Sequence, residues 1–186
     1  MEIRTERKSA LLYSASEIEV LSPTEEPLHP YLCKLGPDAV DLSVTVEDVL
    51  ARLEDRRFRG RSLGALLLDQ SFVGGLGNYL RSEILWWSGL HPTQRPKDLE
   101  DDDRQNLARW ILDVTRQSYR TGGITDCLVR VAEAKAQGVP RRLYRHAAFA
   151  RDGLPCPECG RKIEKIEVGS RRLYLCESCQ PGPQAC

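Results

Sequence analysis

Four cysteines near the C-terminus are the residues whose type and spacing most directly indicate chemistry. They form two Cys-x-x-Cys pairs with sixteen residues between them, namely Cys156, Cys159, Cys176 and Cys179. Each pair can place two thiolates on one tetrahedral metal ion, and an interval of this length suits a single β-hairpin. Because all four ligands would be protein thiolates, no position is left for water or substrate. The spacing therefore predicts a structural zinc site.

We expect the loss of any one sulfur to unfold this hairpin, because so short a segment has no other core and metal binding supplies on the order of 10 kcal/mol. The remaining cysteines, Cys33, Cys127 and Cys186, are scattered and receive no role. An odd number of cysteines without a secretion signal indicates a reducing compartment. We therefore predict a cytoplasmic location, with nucleoid association if the protein is bacterial.

A second pattern with chemical meaning is the glycine-rich run from Gly74 to Tyr79, which includes Gly77 and Asn78. It joins two predicted helices, and its glycines let the backbone approach a ligand closely. Asn78 is the predicted N-cap of the second helix, whose free N–H groups favour a phosphate. The alternative stays open that Asn78 is only a good cap and that the glycines only permit tight packing.

Charge is balanced overall and segregated locally. The chain has 27 basic and 27 acidic residues, so no global field attracts a polyanion. Between Arg141 and Arg172, however, basic residues outnumber acidic ones nine to four, and a second basic cluster runs from Arg52 to Arg61. These clusters beside a metal hairpin favour a polyanionic partner. No apolar run approaches the length of a membrane span, so no membrane partner is predicted.

Several elements must position these residues. Thr45 to Asp48 resembles a capping box that begins a helix with Val46, Val49, Leu50 and Leu53 on one face. Ser62 is the predicted cap of the next helix. Further helices are predicted over 79–88, ended by Gly89, over 98–119, ended by Gly122, and, more weakly, over 126–138. Strands are predicted over 9–13 and 18–21.

These motifs in this order resemble the formamidopyrimidine-DNA glycosylase/endonuclease VIII family. The resemblance rests on Leu67–Gln70, Gly74–Tyr79, Arg81–Leu85, Leu90–Pro92 and the terminal cysteine pairs. The stretch from Leu12 to Glu19 resembles the endonuclease VIII branch in particular. The match runs from about residue 11 to residue 180.

The resemblance implies a fold class: a mainly α-helical domain with a helix–two-turn–helix motif, a C-terminal β-hairpin zinc finger and a short N-terminal β remnant. It implies four segments, namely 1–21 as a remnant of a β-sandwich catalytic domain, 22–44 as a linker, 45–147 as the helical DNA-binding domain and 148–186 as the zinc finger. The implied partner is damaged double-stranded DNA, bound by a monomer. Asn78 and Arg171 would contact phosphates of the lesion strand, with Gly77 and Gln70 at the helix junction.

The implied activity is removal of oxidised pyrimidines followed by β,δ-elimination, which family members perform with an N-terminal proline followed by glutamate. This sequence instead starts Met1-Glu2-Ile3-Arg4, which aligns with a late strand of the catalytic domain. We therefore assign no catalytic residue, leave open whether the chain is an enzyme, and expect it to be inactive alone as the DNA-binding portion. The alternative is a non-catalytic, zinc-dependent DNA-binding protein.

Overall fold

The computed structural model describes residues 1–15 and 17–182. The chain divides into two compact units, one from Met1 to Lys34 and another that begins at Leu35. This boundary lies inside the segment 22–44 that the sequence predicts as a linker. Among the residues with a described position, no helix combines the length and the apolar composition that crossing a bilayer would need.

The first unit is an antiparallel hairpin followed by two 3-10 turns. Strand β1 is Glu2–Arg4 and strand β2 is Ser9–Leu11, with Ile3 opposite Ala10. The turns are Glu26–Leu28 and Leu32–Lys34. All six strand residues are exposed, as expected of a two-stranded ribbon, which has no second layer to bury its face.

The two predicted strands of this unit have different outcomes. The strand predicted over 9–13 is confirmed for its first three residues. The strand predicted over 18–21 is wrong, because no segment in the described part of the chain lies alongside it to complete a hydrogen-bonded ladder.

The second unit opens with helix α1, Val46–Glu54, which begins with the predicted capping box. The Thr45 hydroxyl accepts a hydrogen bond from the N–H of Asp48 at 3.2 Å, and the Asp48 carboxylate accepts one from the N–H of Thr45 at 2.8 Å. Two N–H groups of the first turn are thereby satisfied. Val49 and Leu53 on the predicted apolar face are fully buried.

Three further helices complete the core. Helix α2 is Leu63–Leu66, α3 is Asn78–Ser88 and α4 is Asp101–Thr121. The predicted start of α4 near residue 98 is wrong, because Pro96–Asp98 forms a separate 3-10 turn and buried Leu99 is extended. Helix α4 packs on both α1 and α3. The largest fully buried apolar side chains that the helices and the loops between them contribute to this core are Leu53, Leu63, Leu66, Leu67, Phe72, Ile84, Leu85, Leu107 and Ile111.

Glycines end the two long helices as predicted. Gly89 follows α3 with φ +69°, and Gly122 follows α4 with φ +65°. Both residues occupy the left-handed region, where glycine avoids the steric cost of a Cβ. Two short helices come next: α5, Leu128–Ala136, which confirms the weaker prediction, and the single turn α6, Arg141–Tyr144, which the sequence analysis did not predict.

Residues 35–44 are held against the helices. The guanidinium of Arg116 on α4 donates hydrogen bonds to the carbonyl oxygens of Ala39, Asp41 and Val44 at 3.2, 2.7 and 2.7 Å. Ala39 is fully buried. The start of this unit therefore lies before the capping box.

The zinc-finger hairpin consists of β3, Glu164–Val168, and β4, Arg171–Leu175, joined by the turn Gly169-Ser170. The expectation that this segment has no core besides the metal is wrong. Leu173 and Leu175 are buried in the core of the helical unit, and Ile163 and Tyr174 pack with Trp86 in a second cluster. Strand β4 packs against α3, and alternation along the strand places Leu173 and Leu175 on one face and Tyr174 on the other. This packing is invisible in the local cysteine spacing.

Candidate nucleic-acid interface and metal centre

The four predicted zinc ligands meet at one point. The Sγ atoms of Cys156, Cys159, Cys176 and Cys179 all lie within 4.8 Å of one another. The Cys159–Cys176 and Cys156–Cys179 pairs are 3.4 and 3.9 Å apart, which fits a tetrahedral ion about 2.3 Å from each sulfur. Such a site is closed by protein thiolates, so zinc here is structural.

Neighbouring groups support the cysteine cluster. The indole N–H of Trp86 on α3 donates to the Cys156 Sγ at 3.4 Å. A backbone hydrogen bond from Arg161 is the largest cause that lowers the pKa of Cys159 to about 7, which favours the thiolate that a metal requires, whereas burial raises the pKa of Cys176 and Cys179. Gln180 accepts from the N–H of Cys176 at 2.9 Å and donates to the Leu90 carbonyl at 3.0 Å. The turns that carry the four cysteines, called the cysteine knuckle below, are thereby anchored to the residues that follow α3.

The side chain of Gln70 holds the glycine-rich run from Gly74 to Tyr79, called the glycine junction below, through two hydrogen bonds. Its side-chain amide donates to the Leu76 carbonyl at 2.8 Å, and its side-chain carbonyl accepts from the N–H of Gly75 at 3.1 Å. Gly75 has φ +84°, so glycine is needed there. At Gly77, by contrast, an added Cβ would meet no atom of the described residues within 4 Å. The backbone in front of Gly77 is therefore open to an approaching ligand.

The prediction that Asn78 caps its own helix is wrong. Gly77 is the N-cap, and Asn78 is the first helical residue. Among the described residues, no side chain caps this helix end with a hydrogen bond. The Asn78 side chain instead donates to the carbonyl of Arg172 at 2.9 Å and accepts from the guanidinium of Arg81 at 2.8 Å. It points across to the zinc hairpin because β4 packs against this end of α3.

Arg81 is a fully buried charge between the helix end and the hairpin turn. Besides Asn78, its guanidinium donates to the carbonyls of Gly64 at 2.9 Å, Arg172 at 3.1 Å, and Val168 and Arg171 at 3.3 Å each. Burial, and then the charge of Arg171, lowers the pKa of Arg81 to about 10, so it stays protonated at neutral pH.

Arg171 lies at the start of β4, directly after the turn. Gly169 and Ser170 have φ of +60° and +59°, which places both in the left-handed region typical of a tight hairpin turn. Arg171 is exposed, although its carbonyl is bound by Arg81. The structure thus brings Arg171 close to the neighbouring residues Gly77 and Asn78, from which it is far apart in the sequence.

Glu83 fixes the other end of the zinc finger. This fully buried carboxylate on α3 accepts from the N–H groups of Ala147, Ala148 and Phe149 at 2.7–2.8 Å and from the hydroxyl of Thr125 at 2.7 Å. Burial raises the pKa of Glu83, an effect that these hydrogen bonds oppose. Through the hydrogen bonds of Arg81 and Glu83, helix α3 holds both ends of the zinc finger.

Comparison with protein families gives two matches. The profile described as "Formamidopyrimidine-DNA glycosylase H2TH domain" matches residues 35–128, just over half of the chain. The profile "Zinc finger found in FPG and IleRS" matches residues 153–182. The chain belongs to the formamidopyrimidine-DNA glycosylase/endonuclease VIII family.

Individual relatives agree. Endonuclease 8 of Klebsiella pneumoniae is 43% identical over 180 residues, which cover 97% of this chain and 65% of the relative. The MutM (Fpg) structure from Thermus thermophilus is 31% identical, with a TM-score of 0.65 over 83% of this chain and 57% of that one. A Lactococcus lactis Fpg complex with DNA containing an abasic site, 24% identical, shares the fold with a TM-score of 0.65 over 84% and 56%. The chain spans about 65% of the length of the curated relatives it matches.

The contacts that Arg81 and Glu83 make with the zinc finger were not predicted from the sequence. Both residues were part of the resemblance, in the run Arg81-Ser82-Glu83, but neither was assigned a role. The available signal was two opposite charges on a helix with otherwise apolar faces. Long charged side chains are rarely buried without partners, so their partners had to lie elsewhere in the chain.

The second basic cluster contributes less free charge than its composition indicates. Arg57 forms an ion pair with Asp55, and Arg61 forms one with Asp69. Arg52 donates to the carbonyls of Ser71 and Phe72. Most of this cluster is therefore committed to contacts within the helical unit. The basic surface of the zinc hairpin is the stronger candidate for a polyanion.

Of the remaining cysteines, the two that the structure describes, Cys33 and Cys127, are not part of the metal centre. Cys33 is exposed and Cys127 is partly buried at the start of α5. Cys186 lies outside the described residues. As in the sequence-based prediction, we assign no role to Cys33 and Cys127.

Proposed function

We propose that this chain binds damaged double-stranded DNA as a base-excision repair protein of the endonuclease VIII type. The supporting observation is that buried Arg81 donates hydrogen bonds both to Asn78, next to the helix end at Gly77, and to the carbonyl of exposed Arg171 on the zinc hairpin. The relatives named Endonuclease 8, and the Fpg complex with an abasic site, support the same activity class. In this proposal α2, the glycine junction and α3 form the helix–two-turn–helix motif, and the protein acts as a cytoplasmic monomer.

The proposed contacts follow from the chemistry of these groups. A helix N-terminus leaves backbone N–H groups without partners and carries a partial positive charge, both of which favour a phosphate. Gly77 leaves room for that approach. The guanidinium of Arg171 would bind a phosphate of the same strand, and Asn78 would contribute the second N–H of its side-chain amide, since the first donates to the Arg172 carbonyl. Gln70 would act indirectly, because its polar atoms already hold the glycine junction.

A binding measurement tests this proposal. We expect the 186-residue chain to bind a fluorescent duplex carrying an abasic-site analogue more tightly than the undamaged duplex. Asn78→Ala and Arg171→Ala should each weaken binding about tenfold or more, since each removes a contact to a charged phosphate. Arg109→Ala, which removes an exposed arginine on α4, serves as the matched control. Unchanged affinity in both test variants would refute the phosphate contacts.

We do not propose a catalytic residue in this chain. The Met1 amine donates to the Leu12 carbonyl at 3.1 Å on an exposed hairpin, and the Glu2 carboxylate pairs with Arg4 at 3.0 Å. Within the described part of the chain, neither group has the partners that would activate a nucleophile or an acid. Removal of oxidised pyrimidines is the activity that the family resemblance implies, and we assign no residue of this chain to it.

Borohydride trapping separates the enzyme from the non-catalytic binder. Borohydride reduces a Schiff base between an amine and the abasic sugar to a stable covalent adduct. We expect no adduct when this chain is incubated with abasic duplex under conditions where binding is saturated. An adduct that disappears when Met1 is acetylated would show that the chain has lyase chemistry of its own.

A further inference from the structure

A cleft lined by aromatic rings lies where α3 ends, beside the cysteine knuckle. Its volume is about 370 Å³, and its walls include Trp86, Trp87, Trp110, Glu158 and Cys179. Helix α3 ends at Ser88, whereas the proposed phosphate surface lies at its first residue, Asn78. At a rise of about 1.5 Å per residue, the two sites are about 15 Å apart along the helix. The cleft is therefore a separate surface of the same unit.

The tryptophan rings are held in fixed positions. Trp87 stacks on Trp110 with 4.7 Å between ring centroids, and it meets Trp86 edge to face at 4.9 Å. The indole N–H of Trp87 donates to the Thr125 carbonyl at 2.9 Å, and that of Trp86 donates to the Cys156 Sγ at 3.4 Å. Aromatic faces attract cations, and tryptophan does so most strongly. The cleft thus presents preformed aromatic faces to a ligand.

The charge around the cleft is negative. The Glu158 carboxylate on its wall is exposed, and Cys179 belongs to the predicted zinc centre, where four thiolates outweigh the charge of one Zn²⁺ ion. The carbonyl end of α3 adds a partial negative charge. The nearby cation Arg130 is already paired with Asp126, at 2.6 Å. A phosphate is therefore disfavoured here, and a cationic ligand is favoured.

Arg130 shows that these rings attract a guanidinium. Its central carbon lies 5.9 Å from the ring centroid of Trp86 and 5.8 Å from that of Trp87. In the part of the chain that the structure describes, no cation lies over the ring of Trp110, which is partly exposed on α4. A planar guanidinium can stack on such a ring and pair with a carboxylate at the same time.

We propose that this cleft binds an arginine side chain of a protein partner. Its guanidinium lies over the ring of Trp110, and Glu158 opposes its charge. The partner is a protein with an exposed basic segment, because the negative surroundings repel a nucleic-acid backbone. The inference goes beyond the proposed function and does not depend on it, since the cleft shares no residue with the phosphate surface.

Intrinsic fluorescence tests the proposal directly. The sequence contains three tryptophans and all of them line this cleft, so their emission reports its occupancy. The probe is a short blocked peptide of alternating glycine and arginine, titrated into the zinc-loaded chain. We expect a saturable change in emission. The same peptide with citrulline, which keeps the shape of arginine without its charge, should bind at least about tenfold more weakly. Equal affinity for the two peptides would overturn the proposal.

Two variants locate the binding site. Trp110→Leu keeps an apolar side chain but removes the ring, so it should weaken arginine-peptide binding about fivefold or more. Glu158→Gln should weaken it about two- to fivefold, and this exposed substitution carries the test if Trp110→Leu fails to fold. Glu177→Gln is the matched control, because Glu177 is an exposed acid in the other Cys-x-x-Cys pair. Equal weakening by Glu158→Gln and Glu177→Gln would show only general attraction of charge and would refute the site.

Stacking of a nucleic-acid base on the same rings is the competing outcome. If oligothymidine changes the emission, the arginine peptide does not, and Trp110→Leu abolishes the change, the proposal is wrong. The proposed function is tested separately. Asn78→Ala and Arg171→Ala should weaken duplex binding and leave peptide binding unchanged, whereas Trp110→Leu should do the reverse. Loss of peptide binding in Arg171→Ala would place the peptide elsewhere and overturn the inference.

Discussion

His146 lies between two aromatic rings and is nearly excluded from solvent. Its ring is 5.4 Å from that of Tyr79 and 5.5 Å from that of Phe149, and its Nδ1 is 2.8 Å from the Thr125 hydroxyl. Burial, followed by the charges of Arg145 and Arg141, lowers the pKa of His146 from 6.5 to about 3. The folded state therefore holds the neutral imidazole where the unfolded chain would be protonated.

The lowered pKa of His146 predicts the direction in which acid changes the stability of the fold. The unfolded state binds more protons between pH 6.5 and pH 3, so the stability from neutral His146 is complete above pH 6.5 and is lost as the pH falls. We expect the free energy of unfolding to decrease by about 1.4 kcal/mol per pH unit below about pH 6. Urea unfolding at several pH values, followed by tryptophan fluorescence, would measure this slope.

His146→Asn should flatten that pH dependence. His91→Asn is the matched control, because burial also lowers the pKa of His91 but the residue is less enclosed. A slope that persists unchanged in His146→Asn would assign the acid sensitivity to other groups.

At the scale of elements, the zinc hairpin depends on both metal and packing. Leu173 and Leu175 pack in the core of the helical unit, while the cysteine knuckle at the other end of the strands has its own small cluster. Chelation of zinc should therefore disorder the knuckle and lower the unfolding temperature without melting α1, α3 and α4. Trp86 should report the change, since its indole contacts Cys156.

We expect the metal-free protein to lose most of its DNA affinity and to regain it when zinc is restored. Cys159→Ser should behave like the chelated protein, whereas Cys127→Ser, outside the cysteine cluster, should not. Circular dichroism and binding to abasic-analogue duplex are the two measurements. Full DNA affinity in the metal-free protein would contradict the dependence of the binding surface on the hairpin.

At the scale of the whole molecule, DNA binding must come from local charge, because 27 basic residues balance 27 acidic ones. Affinity should therefore be modest and strongly salt-dependent. Three phosphate contacts predict a loss of roughly fortyfold between about 50 and 200 mM salt. The slope of log affinity against log salt, measured by fluorescence anisotropy, should become shallower by about one phosphate in Arg171→Ala and stay unchanged in Arg109→Ala. An affinity independent of salt would exclude a phosphate-based interface.

Features that depend on near neighbours in the chain could be predicted from the amino-acid sequence. The capping box of Thr45 and Asp48, the helix ends at Gly89 and Gly122, and the paired cysteines all act over a few residues or a fixed spacing. Such patterns are readable because their geometry is local. The order of these motifs was also sufficient to indicate the family that the profiles confirm.

The assembly of the candidate interface could not be predicted from the sequence, because it depends on contacts between distant segments. Asn78 was predicted as a cap, yet it bonds to Arg172, 94 residues away, and Arg81 and Glu83 are buried charges whose partners come from distant segments. Burial of Leu173 and Leu175 likewise depends on the docking of β4 against α3. The physical reason is that a side chain satisfies its hydrogen bonds with the groups that packing brings near, and packing is set by the whole fold rather than by adjacent residues.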